Sequence, residues 1–256
     1  MKPPNPETNS INFEDHVIFR LDFTKNIDTS EKRLKKFESR IEEKFSHPLI
    51  EPRKSFEFTT SPQGNIFKDG TVKFYKFTNE SGSQQVSLEP GALAVAFFSQ
   101  VSPEELLSTL KLILNGFKEA YEPMDAKRTG LRHTYKIEKQ EKKPFDWKDL
   151  ISSCLVSPIE FYPDSNDLSR VISLIEFTKE GFRVSMQAGL GNMTDYPGHI
   201  VAEEFTLDYD CFTFEEKRGV APVLELIPTF NSQIMTLLDL STTDKLKGIM
   251  EEKKYA

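Results

Sequence analysis

One offset of 112 residues repeats the order of predicted structural elements along this chain of 256 residues. The offset moves Arg20 onto Arg132 and the segment 92–98 onto 204–210. Apolar residues alternate with polar or small ones in these segments, and this alternation predicts strands with one buried face. A long amphipathic helix with proline near its start follows the strands in each half. Few residues are identical across the offset, so what repeats is the order of elements.

This order predicts an α+β protein of two similar halves, each with a strand, a helix, several strands and a long helix. Two such halves can share one curved antiparallel sheet with helices on one face, as in the TATA-binding-protein-like arrangement. That comparison concerns element order and implies no DNA binding. We predict a disordered tail at 1–12, a first half at 13–125, and a second half at 126–256 with a helical C-terminus. Coincidence also explains such a repeat, because α+β proteins often alternate these elements.

Composition indicates a folded, soluble protein with its thiols reduced. The 38% apolar residues, with 21 phenylalanines, can fill a core. A net charge of −7 argues against a surface that attracts nucleic acid or anionic lipid everywhere. Cys154 and Cys211 are too few for a disulfide framework and lack metal-binding spacing. The chain shows no signal peptide and no run of about 18 apolar residues, so we expect a cytoplasmic protein without a membrane span.

Strand alternation gathers charged residues on the sheet face opposite the core. The basic excess lies in 127–148, with eight Lys and Arg against three Asp and Glu, and the acidic excess lies in 160–244, with five against fifteen. Neighbouring basic and acidic strands can form salt bridges that fix strand register, or can bind a ligand or partner. Both interpretations remain open. The candidate binding residues are Arg20, Arg128, Arg132, Lys136, Glu204, Asp208 and Asp210.

A family resemblance rests on the motif Arg128-Thr129-Gly130-Leu131-Arg132. It resembles the Arg-x-Gly-Leu-Arg-Tyr-x-Asn-x-Ile strand of an uncharacterised, sporadically distributed prokaryotic protein family. His133 stands in place of the family's Tyr and Tyr135 in place of its Asn, while Ile137 matches. The segment 207–210 is similar to the family's Leu-Asp-x-Asp strand, and the resemblance covers most of the chain. It implies no established activity, but such patchy distribution is typical of defence-associated genes.

The leading interpretation is a non-catalytic binding or interaction module. It would act through the charged face or the helical C-terminus, with another protein or a second copy of the chain as its partner. A nucleic-acid binder ranks third, after the alternative described next. In this interpretation the basic segment 127–148 contacts phosphates and its aromatic residues Tyr135, Phe145 and Trp147 stack on bases.

The alternative is a metal-dependent phosphohydrolase. Asp208 and Asp210 lie on one strand face with Glu204, a geometry that can hold a divalent cation. Arg20, Arg132 and Lys136 would then bind phosphate. Mutual neutralisation of these charges is the competing interpretation.

Other catalytic motifs give no support to an enzyme. The four histidines lie outside any His-Glu-x-x-His pattern, and the chain has no Gly-Lys-Ser/Thr loop and no Gly-x-Ser-x-Gly elbow. We therefore predict no catalytic residue, no cofactor and no metal. His133 lies on the apolar face of its strand, where we expect a core histidine with one hydrogen bond.

Overall fold

A computed structural model gives the fold of this chain. It describes residues 11–61, 64–122, 124–139, 147–161, 168, 170–179, 181–191, 193–194 and 200–254. The first half contributes these elements: β1 Ile11–Phe23, α1 Glu31–Ile41, β2 Leu49–Ser61, β3 Gly64–Thr78, β4 Gln84–Glu89, β5 Ala92–Phe97 and α2 Pro103–Tyr121.

The second half repeats the succession of strands followed by a long helix. Its elements are β6 Asp125–Lys139, α3 Ser153–Glu160, β7 Arg170–Lys179, β8 Phe182–Gly191, β9 Met193–Thr194, β10 Ile200–Thr213, β11 Lys217–Arg218, α4 Val220–Ser241 and α5 Asp244–Lys254. Among the helices of the described residues, none combines the length and the apolar composition that a membrane span requires.

The described strands form one antiparallel sheet. Neighbours follow in the order β2-β3-β4-β5-β1-β6-β10-β8-β7, with β11 beside β6 and β9 beside β10. Because β1 and β6 are neighbours, the other strands of the first half lie on one side of this pair and those of the second half on the other. The predicted α+β class and the antiparallel sheet are confirmed.

Strand alternation decides which side chains form the core. In the central strands Phe19, Leu131 and Tyr209 are fully buried, and they share one apolar cluster with Phe37 of α1 and Phe230 of α4. Burial of each such side chain stabilises the fold by roughly 1.5–3 kcal/mol. The residues that alternate with these buried ones along each strand lie on the opposite sheet face, where the predicted charged residues are found.

The start of α2 follows its sequence signal closely. The Ser102 hydroxyl accepts a hydrogen bond from the Glu105 backbone N–H at 3.1 Å, and Pro103 occupies the first helical position. In the second half α4 begins at Val220, before Pro222, and continues through Pro228.

Three predicted boundaries differ from the structure. β1 begins at Ile11, so two residues of the predicted tail belong to the strand. The sequence predicts a strand over 55–60, whereas β2 begins at Leu49 and includes Pro52, which an edge strand accepts because one side needs no N–H donor. The sequence Pro144-Phe145-Asp146 favours one short helix through Cys154. These three residues lie outside the described ones, and the structure shows a 3-10 turn at Trp147–Asp149. The chain is extended at Ile151, which pairs with Thr242, and α3 begins only at Ser153.

Candidate functional site

The candidate site lies on the open face of the three central strands. β6 pairs with β1 on one side and with β10 on the other, with Gly130 opposite Arg20 and Arg132 opposite Asp210. Directly opposed residues point to the same side of a sheet. All the charged residues predicted for this face therefore share it. We call the following set the charge ladder: Arg20, Asp22, Glu89, Arg128, Arg132, Lys136, Glu204, Asp208 and Asp210.

A two-point contact joins Arg132 to Asp208 at the centre of the charge ladder. Nε of Arg132 donates to Oδ1 of Asp208 at 2.8 Å, and a terminal guanidinium nitrogen donates to Oδ2. The Asp208 side chain is only 11% exposed, whereas that of Arg132 is 49% exposed. The hydrogen bonds to Asp208 raise the pKa of Arg132. Both oxygens of the mostly buried Asp208 carboxylate thus bind one arginine.

Arg128 binds the second aspartate of β10. Its guanidinium lies 2.8 Å from Oδ2 of Asp210 and 3.8 Å from Oδ2 of Asp22, and it covers the ring of Phe212 at 4.8 Å from the ring centre. Burial raises the pKa of Asp210, and the positive charge of Arg128 opposes that rise. The Asp210 carboxylate therefore interacts with the positive charges of both Arg128 and Arg132.

Gly130 makes room for that arginine. A Cβ atom at this position would lie 3.0 Å from a terminal nitrogen of Arg128 and 3.2 Å from its Cζ. The guanidinium therefore passes directly over the glycine to reach Asp210. The spacing Arg-x-Gly in the sequence motif follows from this close approach.

The ends of the charge ladder are weaker. Arg20 contacts Asp22 at 2.7 Å and Glu89 at 3.4 Å, while the Nζ of Lys136 lies 3.9 Å from Glu204. These pairs are partly exposed, and pairs of this kind contribute about 0–1 kcal/mol each. The predicted residues are thus brought together, and every predicted cation contacts a carboxylate of the same face.

Metal binding requires carboxylates that converge on one point. The described part of the chain contains no group of three His, Cys, Asp or Glu residues arranged in this way. Asp208 and Asp210 instead each face an arginine, so a divalent cation could bind them only by displacing a guanidinium. These ion pairs can fix the register of the strands, but their carboxylates are not arranged as ligands for a divalent cation.

Small residues flank the charge ladder, as the alternation predicts. Ala94 of β5 lies opposite Arg20, and Ala92 lies opposite Asp22. On the other flank a shallow depression of about 230 Å³ lies between β7, β8 and β10, lined by Arg170, Glu204 and Asp208 among others. The face is therefore open at both sides of the central strands.

The aromatic residues of the basic segment do not lie on this face. Tyr135 and Trp147 are buried in the core, where Trp147 packs on Phe205 with ring centres 5.3 Å apart. The expectation that these two rings stack on nucleic-acid bases is wrong, since neither ring is accessible. Phe145 lies outside the described residues.

Sequence analysis missed a large cavity beside His133. It has a volume of about 1120 Å³ and is lined in part by Phe13, His133 and Met235. His133 is buried and makes the single predicted hydrogen bond, between Nδ1 and the Tyr135 hydroxyl at 3.1 Å. Burial lowers its pKa to about 4. The one sequence signal for the cavity was a histidine on an otherwise apolar strand face.

A second missed feature is the exposure of apolar side chains on the edge strand β7, since the sequence predicts the strand itself over 171–178. Ile172, Leu174 and Ile175 are all exposed, although both faces of this segment are rich in apolar residues. The succession Val-Ile-Ser-Leu-Ile was available as a signal, since a strand with one solvated face would alternate.

No protein-family model matches the chain and no curated protein matches it, so the family resemblance of the 128–132 motif stays a prediction.

Proposed function

We propose that this chain is a non-catalytic interaction module that associates with a second copy of itself through β7. The observation that carries the proposal is the exposed apolar edge: Ile172 and Leu174 are each 58% exposed and Ile175 is 46% exposed. β7 pairs with β8 on one side and ends the strand order on the other. Natural edge strands usually carry charged residues or proline where they must avoid association. Here the middle of the edge is apolar.

Charge complementarity favours a second copy as the occupant. Antiparallel pairing of two β7 strands about Ser173 sets Ile172 opposite Leu174 of the second copy. The same register sets Arg170 opposite Glu176 of the second copy, once at each end of the interface. Neither Arg170 nor Glu176 forms an ion pair with another residue that the structure describes. Apolar side chains therefore meet at the centre and opposite charges meet at both ends.

The charge ladder supports a non-catalytic role. Its arginines engage the carboxylates that a phosphohydrolase would need for a divalent cation, and Asp208 holds a two-point contact with Arg132. In a thermal unfolding assay we expect no stabilisation by Mn²⁺ with or without a nucleotide. A stabilisation by Mn²⁺ that Asp208→Asn abolishes would favour the phosphohydrolase instead.

We also infer that the two halves are equivalent units of a TATA-binding-protein-like arrangement, with helices on one face. The strand order supports this, because β5 and β4 follow β1 outward as β10 and β8 follow β6. The register of the central pair supports it too. Phe19 pairs with Leu131, and these residues are equivalent under the offset of 112. The outer strands depart from that offset. Arg20 pairs with Ala94 of β5, and Arg132, its equivalent, pairs with Asp210 of β10. Asp210 lies four residues beyond the position that the offset makes equivalent to Ala94.

Cytoplasmic location and a link to defence remain predictions of the sequence and of the family resemblance. Neither is needed for the proposal of self-association, which depends on β7 alone.

Sedimentation velocity of the full chain tests the proposed function. We expect the unmodified protein to sediment as a dimer in the micromolar range, and Leu174→Lys to shift it to a monomer. Leu240→Lys is the matched control, because Leu240 is an exposed leucine of α4 away from β7. A monomeric unmodified protein, or a Leu174→Lys variant that dimerises normally, would overturn the proposal.

A further inference from the structure

A large cavity beside His133 is lined by residues of β1, β6, α4 and the loop before α2. Its volume is about 1120 Å³, slightly above the roughly 300–1,000 Å³ that is typical of small-molecule sites. Phe13 and Tyr135 line it from β1 and β6, Val101 from the loop before α2, and Met235 and Leu238 from α4. The cavity is therefore formed by side chains from both halves of the chain.

His133, which lines this cavity, has a buried ring nitrogen without a hydrogen-bond partner among the described residues. His133 is 4% exposed and lines the cavity, and its Nδ1 is occupied by the Tyr135 hydroxyl. Its Nε2 is buried without a hydrogen-bond partner among the described residues. A buried polar atom without a partner is unfavourable, and each such atom in a native structure calls for an explanation. A bound molecule that hydrogen-bonds to Nε2 would remove this cost.

The cavity walls indicate what kind of molecule fits. Phe13 stacks on Tyr135 with ring centres 5.7 Å apart, so two aromatic side chains form part of the lining. Met235 and Met250 line the helix side, and methionine side chains adapt to the shape of a ligand. Glu14 lines the cavity, while no lysine or arginine does so among the described lining residues. Such a lining favours an apolar ring and disfavours an anion.

We propose that this cavity is a binding site for a small ring-bearing molecule that is uncharged or cationic and that hydrogen-bonds to Nε2 of His133. A hydroxyl group on the ring suits this position, since a hydroxyl can donate to or accept from either tautomer of the imidazole. No lining residue that the structure describes belongs to β7. The site therefore adds a ligand to the chain independently of self-association.

Isothermal titration of the full chain with four related probes tests the site. p-Cresol is an uncharged phenol, tyramine carries an ammonium group, 4-hydroxyphenylacetate carries a carboxylate, and toluene lacks the hydroxyl. We expect p-cresol and tyramine to bind at least about tenfold more tightly than 4-hydroxyphenylacetate and toluene. Equal binding of all four probes, or no binding of any, would overturn the proposal.

Three variants locate the binding. His133→Phe should weaken p-cresol binding about tenfold while leaving toluene binding unchanged, because it removes only the ring nitrogens. Met235→Trp, at a partly exposed position of α4, should block all four probes by filling the cavity. His47→Phe is the control, since His47 is an exposed histidine elsewhere. If His133→Phe does not fold, Met235→Trp decides: p-cresol binding that survives this change would refute the site.

Discussion

Arg132 binds both carboxylate oxygens of Asp208, although the residue directly opposite Arg132 across the β6–β10 pair is Asp210. Asp208 lies opposite Thr134, so the arginine leans along its strand. That displacement leaves Asp210 to Arg128, which passes over Gly130 to reach it. The two arginines thus lean in the same direction. Strand register and side-chain pairing are coupled on this face.

Removal of Arg132 should destabilise the protein because it leaves a mostly buried carboxylate without its partner. We expect Arg132→Met to lower the free energy of unfolding by about 1–3 kcal/mol, and Asp208→Asn to recover part of the loss in the double variant. Urea denaturation of the unmodified protein, the two single variants and the double variant measures the coupling energy between Arg132 and Asp208. Arg218→Met is the control, since Arg218 is 80% exposed and lies 4.0 Å from Asp125. Equal, negligible effects of both arginine changes would contradict the account.

Gly130→Ala tests the passage of Arg128 over the glycine. The added methyl group meets the guanidinium at 3.0–3.2 Å, so we expect a loss of about 1 kcal/mol as Arg128 moves away from Asp210. In an Arg128→Met background the same change should be neutral or stabilising, because alanine restricts the unfolded chain. Thermal or urea unfolding measures both. A loss of the same size in the two backgrounds would show that the arginine is not the cause.

The two thiols should differ sharply in reactivity. Cys154 is exposed, whereas Cys211 is buried in β10, and burial raises the pKa of Cys211 to about 12. Since the thiolate is the reactive species, a thiol reagent at pH 8 should label one cysteine in the native protein and both in urea. Mass spectrometry of the labelled peptides identifies the site. Comparable rates at Cys154 and Cys211 under native conditions would be incompatible with the described core.

His133 should make the protein less stable in acid. Burial lowers its pKa from 6.5 to about 4, so the unfolded chain binds a proton in this range while the folded chain does not. Stability is therefore lost as pH falls from about 6.5 to about 4, by up to about 3 kcal/mol. Tyr135 of β6 and Tyr209 of β10 face this histidine, and Asp15 of β1 lines the same cavity. His133→Phe should reduce the pH dependence measured by urea unfolding, whereas His47→Phe should retain it.

The local signals in the sequence predicted the strands and the composition of their faces. Alternation of residue types is set within one strand, so the sequence itself separates Phe19 from Arg20 and Leu131 from Arg132. Likewise Ser102 and Pro103 specified the start of α2 within a few residues.

Features that depend on contacts between distant segments were not predictable in the same way. The choice of Asp208 by Arg132 depends on the register of β6 against β10, and the break before α3 depends on the pairing of Ile151 with Thr242. The cavity beside His133 depends on where α4 and the loop before α2 lie relative to β1 and β6. Pattern within one segment carries no information about these distances.

A charge-exchange experiment on β7 tests the central claim, self-association through this edge, most directly. Arg170→Glu and Glu176→Arg should each disrupt the dimer, because each sets like charges opposite one another at both ends of the interface. An equimolar mixture of the two variants restores opposite charges at both ends. Sedimentation velocity should therefore show monomers for each variant alone and heterodimers for the mixture. A mixture that stays monomeric, or single variants that dimerise like the unmodified protein, would contradict the account.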